Sequence, residues 1–362
     1  MSIKQELEKS LPENLHFTAA EKEAVYERIH KRKKRHIQIL PALAGAIALI
    51  MLAILIAPEL TSNRTAEELS VEKVVVPDTP YPSLVRALYI DETSELVFSE
   101  ENGLYAYHEE SGTKEQLAEL SSVTYEFAAT EDWIVWTDPS EGDSILYMMN
   151  RTNQETMTLE GDYYFNLAIE GDTLVYHRGS EGYYRMNLET RESALLHELD
   201  KRISSSSLAD VQGNFIVIPE ESQGVTRLII YDIQTLEKIN EIEVPYKRVT
   251  QVQWSGKYIY GQGHNEDELP VLIQADRTTG EVQEIQTPGF DEFTVEGDSV
   301  ALSVPDRDSD TIMLYKLDEL KVRPLNTLDE IEERLVGPRF TDAGTLILNG
   351  EGDNRAMYIV KP

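Results

Sequence analysis

The sequence predicts an all-β, seven-bladed β-propeller held behind one transmembrane helix. Three observations predict it. A turn rich in Asp, Glu or Gly leads into a short apolar strand seven times over residues 71–362. The seventh unit has three strands rather than four. An uncharged run, Ile37–Ala57, follows directly on the basic stretch KRKKRH.

The repeat decides the fold. Its units are TSELVF (Leu96), EDWIVW (Ile134), GDTLVY (Leu174), GNFIVI (Ile216), GKYIYG (Ile259), GDSVAL (Val300) and AGTLIL (Leu346). The anchors lie 38, 40, 42, 43, 41 and 46 residues apart, a period that marks a repeat architecture. A second strand, a polar turn and a further strand follow most anchors. Asn150, Asn187, Asp232 and Asp276 stand at strand ends, where an Asx side chain closes a turn. One more strand precedes the anchors, as in Val123–Thr130, Tyr164–Glu170, Thr250–Gly256 and Asp291–Glu296. Four short strands cannot bury both faces of their sheet alone, whereas radial stacking buries both. Counts of six or eight blades and a β-sandwich are the alternatives.

The seventh unit, GPRFTDAGTLILNGEGDNRAMYIVKP, lacks an outer strand. The β-rich segment Val71–Pro77, VEKVVVP, is placed to supply it and to hide the edges of an open ring.

Ahead of the propeller the chain divides into residues 1–36, 37–57 and 58–70. Thr18-Ala19-Ala20-Glu21 reads as a capping box. A helix to about Arg35 follows, with Val25 and Ile29 one turn apart and Phe17 just before the cap. These three are the candidate partner-binding residues of this segment, and a helix that only anchors and orients the chain is the other reading. Residues 37–57 would span about 31 Å as a helix, enough to cross a hydrocarbon core. The apolar run is too long for a cleaved leader and begins too far in. Lys31 to Arg35 then hold residues 1–36 in the cytoplasm and place the propeller outside the cell membrane. Residues 58–70 form a short polar stalk.

Composition narrows the chemistry. The net charge is −32, and nearly all of it falls after the apolar run. Such a surface repels nucleic acid, so no nucleic-acid partner is expected. With no cysteine, disulfides, thiolate metal sites and a Cys nucleophile are excluded. No His pair has metal-ligand spacing, no catalytic constellation emerges, and no cofactor is expected. Ser204–Ser207 reads as the start of an inner strand rather than a nucleophile. Asp306, Asp308 and Asp310 resemble the start of a calcium loop. Thr311 and Leu317 stand where an EF-hand needs Gly and Glu, so only a looser Ca²⁺ site competes with a solvated acidic hairpin. Trp133, Trp136 and Trp254 fall in or beside strands, where packing explains them as well as ligand stacking does.

The tandem units of residues 71–362 resemble WD40-like and TolB-like bacterial propellers in period and strand pattern, although no unit ends in a clean Trp-Asp. The front end, with Leu11-Pro12-Glu13-Asn14-Leu15, the capped helix and the single span, resembles membrane anti-sigma factors of Gram-positive bacteria. That resemblance implies a sigma factor as cytoplasmic partner and an outer domain that senses the envelope. It departs from the zinc-type members, whose His and paired Cys are missing. Three readings follow. They are a signal-transducing membrane protein, an anchored scaffold or binding module for an extracytoplasmic protein or ligand, and a surface hydrolase or lyase. A non-enzyme is expected, with recognition on one face of the propeller, where blade loops converge on the channel.

Overall fold

A computed structural model describes residues 69–138, 145–161, 163–199, 208–222, 224–246, 248–265, 267–305, 310–351 and 356–362. The predicted helix, the apolar run 37–57, Ser204–Ser207 and the Asp306–Asp308 stretch lie outside them. Among the described residues no helix is long and apolar enough to cross a membrane.

The described residues form seven four-stranded antiparallel sheets. Blade 1 is built from Leu88–Ile90, Glu95–Glu100, Gly103–His108 and Thr113–Glu119, innermost strand first. The inner strands of blades 2 to 7 are Phe127–Ala129, Tyr164–Glu170, Asp210–Gln212, Val249–Ser255, Glu292–Glu296 and Leu335–Phe340. The inner strand predicted at Val123–Thr130 is therefore shorter. Thr124 is buried and its N–H donates to Ser99 Oγ of blade 1 at 3.0 Å, so that stretch belongs to the crossover between blades.

All seven anchors lie in second strands and are at most 1 % exposed. Strand alternation explains why. In blade 2, Trp133 and Val135 pack against blade 3, while Ile134 and Trp136 pack against blade 1. A second strand is thus apolar on both faces. The core is divided into seven apolar clusters, one at each seam between neighbouring blades. The three tryptophans are buried in these seams.

The Asx turns form as predicted. Asn150, Asn187, Asp232 and Asp276 each accept at Oδ1 from a backbone N–H two or three residues on, at 2.7 to 3.2 Å. The residue four positions on then donates its N–H to the carbonyl of the first.

The ring closes through its N-terminal strand. Ser70–Val74 pairs antiparallel with Met357–Lys361, from Ser70 opposite Lys361 to Val74 opposite Met357. Val74 and Val76 join the apolar cluster between blades 7 and 1. The strand begins one residue earlier than the predicted Val71–Pro77 and ends at Val74, and residues beyond it run to a short helix, α1 (Tyr81–Leu84).

Candidate functional site

Up-and-down connectivity gives the ring two chemically distinct faces. Connections from one blade to the next reach the crossover face. Turns between first and second strands reach the other, here called the turn face. The inner strands run from the first to the second and line the channel.

Adjacent inner strands are stitched by side chains. Asn166 of blade 3 accepts at Oδ1 from Ala209 N–H (2.8 Å) and donates Nδ2 to Ala209 O (3.1 Å). In the next seam Asp210 Oδ2 accepts from Trp254 N–H at 2.5 Å, and Gln212 Oε1 accepts from Gly256 N–H at 3.1 Å. Gln253 and Ser255 do the same for Val295 and Gly297 of blade 6, and Thr294 does it for Phe340 of blade 7. Each contact satisfies a strand-edge group that has no ladder partner.

The turn end of the channel is acidic and crowded. Gln212 of blade 4 donates Nε2 to Glu296 Oε2 of blade 6 at 3.5 Å, reaching past blade 5. Burial raises the carboxyl pKa of Glu170, Glu296 and Asp342, and the charge of Asp342 pushes the other two further. Asp210, one layer deeper, is pushed up to about 7, first by burial and then by Asp342 and Glu296, against the pull of the Trp254 N–H. Among the described residues no three His, Asp or Glu side chains converge with metal-holding geometry.

The crossover end is different. Val85, Tyr125, Tyr163 and Leu208 stand just before the inner strands of blades 1 to 4, and each is 43 to 66 % exposed. Four large apolar side chains at one place in consecutive blades make an arc around the mouth, the kind of exposure that marks a contact surface. Arg86 lies over the Tyr125 ring at 5.5 Å and donates to Tyr125 O at 3.4 Å. Arg339 lies on the inner strand of blade 7, where burial lowers its pKa to about 10 against the opposing charge of Glu292 and the hydroxyl of Tyr81.

Two polar groups occupy seams. At the first, Glu95 is fully buried, with Arg151 Nη1 2.5 Å from Oε1 and His108 Nδ1 3.4 Å from Oε2. A cavity of about 230 Å³ opens beside it, lined by Glu115, Glu131, Met149, Arg151, Thr152 and Gln154 among others. At the seam of blades 3 and 4, His197 contacts Glu220 Oε1 through Nε2 (2.6 Å) and the Tyr231 hydroxyl through Nδ1 (2.9 Å). Phe165, His177, Tyr183 and His197 face one another across the four strands of blade 3. His177 is buried between two rings, at 4.0 Å from Phe165 and 4.7 Å from Tyr183, and burial lowers its pKa to about 4.

The candidate residues read from the sequence do not meet here. Phe17, Val25, Ile29, Asp306 and Asp308 lie outside the described residues, and Asp310 opens the third strand of blade 6. The groups that do converge at the turn end, Gln212, Glu296 and Asp342, carry no sequence motif. Strand alternation was the available signal, since polar residues two apart in QVQWS and DEFTVE mark a channel-facing row.

No protein-family profile matches the chain, and no curated protein matches it. Solved structures do. A chain of a Mitotic Checkpoint Complex aligns at TM-score 0.56 and 10 % identity, covering 83 % of this chain and 94 % of that one. The Cps50 (Swd1) β-propeller domain of Myceliophteria thermophila aligns at 0.56 and 10 %, covering 80 % and 99 %. BamB from Moraxella catarrhalis aligns at 0.51 and 13 %, covering 76 % and 82 %. At such identities the likeness shows the β-propeller fold and nothing finer.

Proposed function

We propose that this is a single-pass membrane protein whose extracytoplasmic propeller binds a protein or ligand at its crossover face. The apolar arc of Val85, Tyr125, Tyr163 and Leu208 around the channel mouth carries the reading. Its support for membrane attachment is the uncharged run 37–57 behind Lys31–Arg35. In this reading the helix with Phe17, Val25 and Ile29 contacts a cytoplasmic partner, and the anti-sigma resemblance makes a sigma factor the partner to try first. An anchored binding module with a passive cytoplasmic end differs only in that last step.

The chain has no cysteine, so one introduced thiol reports one place. A membrane-impermeant maleimide applied to intact cells is expected to label Thr278→Cys, in an exposed propeller turn, and to leave Ser2→Cys unlabelled until lysis. Labelling of Ser2→Cys alone in intact cells would reverse the topology and end the proposal.

A further inference from the structure

The residue after each Asx position enters the seam with the preceding blade. In blades 3 and 4 it is Leu188 and Ile233, both fully buried in apolar clusters. In blade 5 it is Arg277, which lies over the rings of Phe215 and Trp254 at 5.0 and 5.5 Å. Blade 2 has Arg151 there, in the same backbone setting. Its N–H donates to Asp132 O at 2.8 Å, as that of Leu188 does to Asp172 O and that of Ile233 to Asn214 O. Its Nη1 alone reaches Glu95 and Thr130 O. This seam is not filled as the others are: the cavity of about 230 Å³ lies beside the pair, with Arg151 in its wall.

The cavity meets a cation whose position is fixed and whose free edge is open. The Arg151 side chain is 13 % exposed. Among the described residues its Nε and Nη2 make no hydrogen bond, and neither is sealed from solvent as the same atoms of Arg339 are. These two nitrogens form the edge of a guanidinium that meets both oxygens of a carboxylate. With Nη1 already anchored, little side-chain freedom remains to be lost on binding. The same cavity carries the opposite charge. Glu131, in the exposed turn between the first two strands of blade 2, has no cation beside it among the described residues, whereas Glu115 has His108 Nε2 at 3.6 Å. Buried Met149 and half-buried Leu117 add apolar wall.

We propose that the cavity between blades 1 and 2 binds a free α-amino acid with an apolar side chain. Its carboxylate meets the Nε–Nη2 edge of Arg151, its ammonium meets Glu131, and its side chain rests on Met149 and Leu117. A wall that offers one cationic edge and one open carboxylate selects a zwitterion. An ion of a single sign would leave the other wall charge desolvated without a partner. The volume lies below the roughly 300–1,000 Å³ of pockets for drug-sized ligands, which suits a molecule as small as an amino acid. Arginine suits the task better than lysine, whose ammonium cannot present two parallel donors. The cavity is built from the turn side of the ring, so the inference stands apart from the crossover-face reading.

The test uses the full chain in detergent micelles and three probes followed by titration calorimetry: L-leucine, N-acetyl-L-leucine with its amine blocked, and L-leucinamide with its carboxylate blocked. Leucine is expected to bind at least about tenfold more tightly than either blocked form. Glu131→Gln, in an exposed turn, is expected to weaken leucine and to leave N-acetyl-leucine unchanged. Arg151→Lys keeps a charge beside Glu95 and is expected to lose the preference for leucine over leucinamide, with circular dichroism confirming its fold. If that variant does not fold, Glu131→Gln and the blocked probes decide alone. Leucinamide binding the parent chain as tightly as leucine overturns the carboxylate contact, and N-acetyl-leucine doing so overturns the ammonium contact. Leucine affinity unchanged in Glu131→Gln places the amino acid elsewhere and overturns the site, as does a parent chain that binds no leucine.

Discussion

Glu95 and Arg339 both sit at seams between blades, and the fold treats their charges in opposite ways. Glu95 is fully buried, but Arg151 of the next blade lies in ionic contact with it and His108 lies on its other side. Arg151 is itself held, since its Nη1 donates to Thr130 O at 2.7 Å. Arg339 has no carboxylate on its fork. A buried charge with a partner serves the seam; a buried donor without one costs about 1–3 kcal/mol and persists where something else repays it. The difference separates a buried charge held in an ion pair from a buried charge with two unpaired donors.

The largest test of that contrast is Arg151→Met. Removing one partner of a buried pair strands the other charge, and such changes cost about 3–5 kcal/mol. In a domain of this size that should lower the melting temperature on the order of 10 °C. A cost below about 1 kcal/mol would mean that the Glu95 pair is not structural.

The second test concerns Asp210, a buried acid of the turn end. Its pKa rises from 3.8 in the unfolded chain to about 7 in the fold. The native state then holds a proton that the unfolded state has lost. The stability tied to Asp210 is fully present below pH 4 and is lost as pH rises to 7, at up to about 1.4 kcal/mol per unit. Asp210→Asn keeps an acceptor for the Trp254 N–H and removes the titration. Its stability relative to the parent should therefore climb between pH 4 and pH 7 in denaturant melts. A difference that stays constant across that window would place the titrating group elsewhere.

Much of the ring was legible in the sequence. The anchors from Leu96 to Leu346 could be read because burial on both faces makes every second strand apolar. The Asx residues could be read because a turn needs them locally, and the closing strand because the last unit is one strand short. Where a crossover imitates a strand, as in Val123–Glu126, the pattern misled, because the pairing of Thr124 with Ser99 is tertiary. The site was far less legible. Arg339 stands in Gly337-Pro338-Arg339-Phe340, which repeats nowhere in the chain. The meaning of its fork depends on a carbonyl 254 positions away and on which atoms lack partners, neither of which has a local signature. Gln212 and Glu296 meet only because the inner strands of consecutive blades curve around one channel.

The smallest expected change in stability is the most telling. Arg339→Met gives up two hydrogen bonds, one of them to the carbonyl of the exposed Val85, but it also removes a buried charge with two unpaired donors. The losses and gains nearly offset. Melted beside Arg151→Met under the same conditions, Arg339→Met should unfold at or slightly above the temperature of the parent, within about 1 kcal/mol. A loss of several kcal/mol, matching that of Arg151→Met, would show that Arg339 holds blade 7 to blade 1 and would contradict the contrast between the two seams.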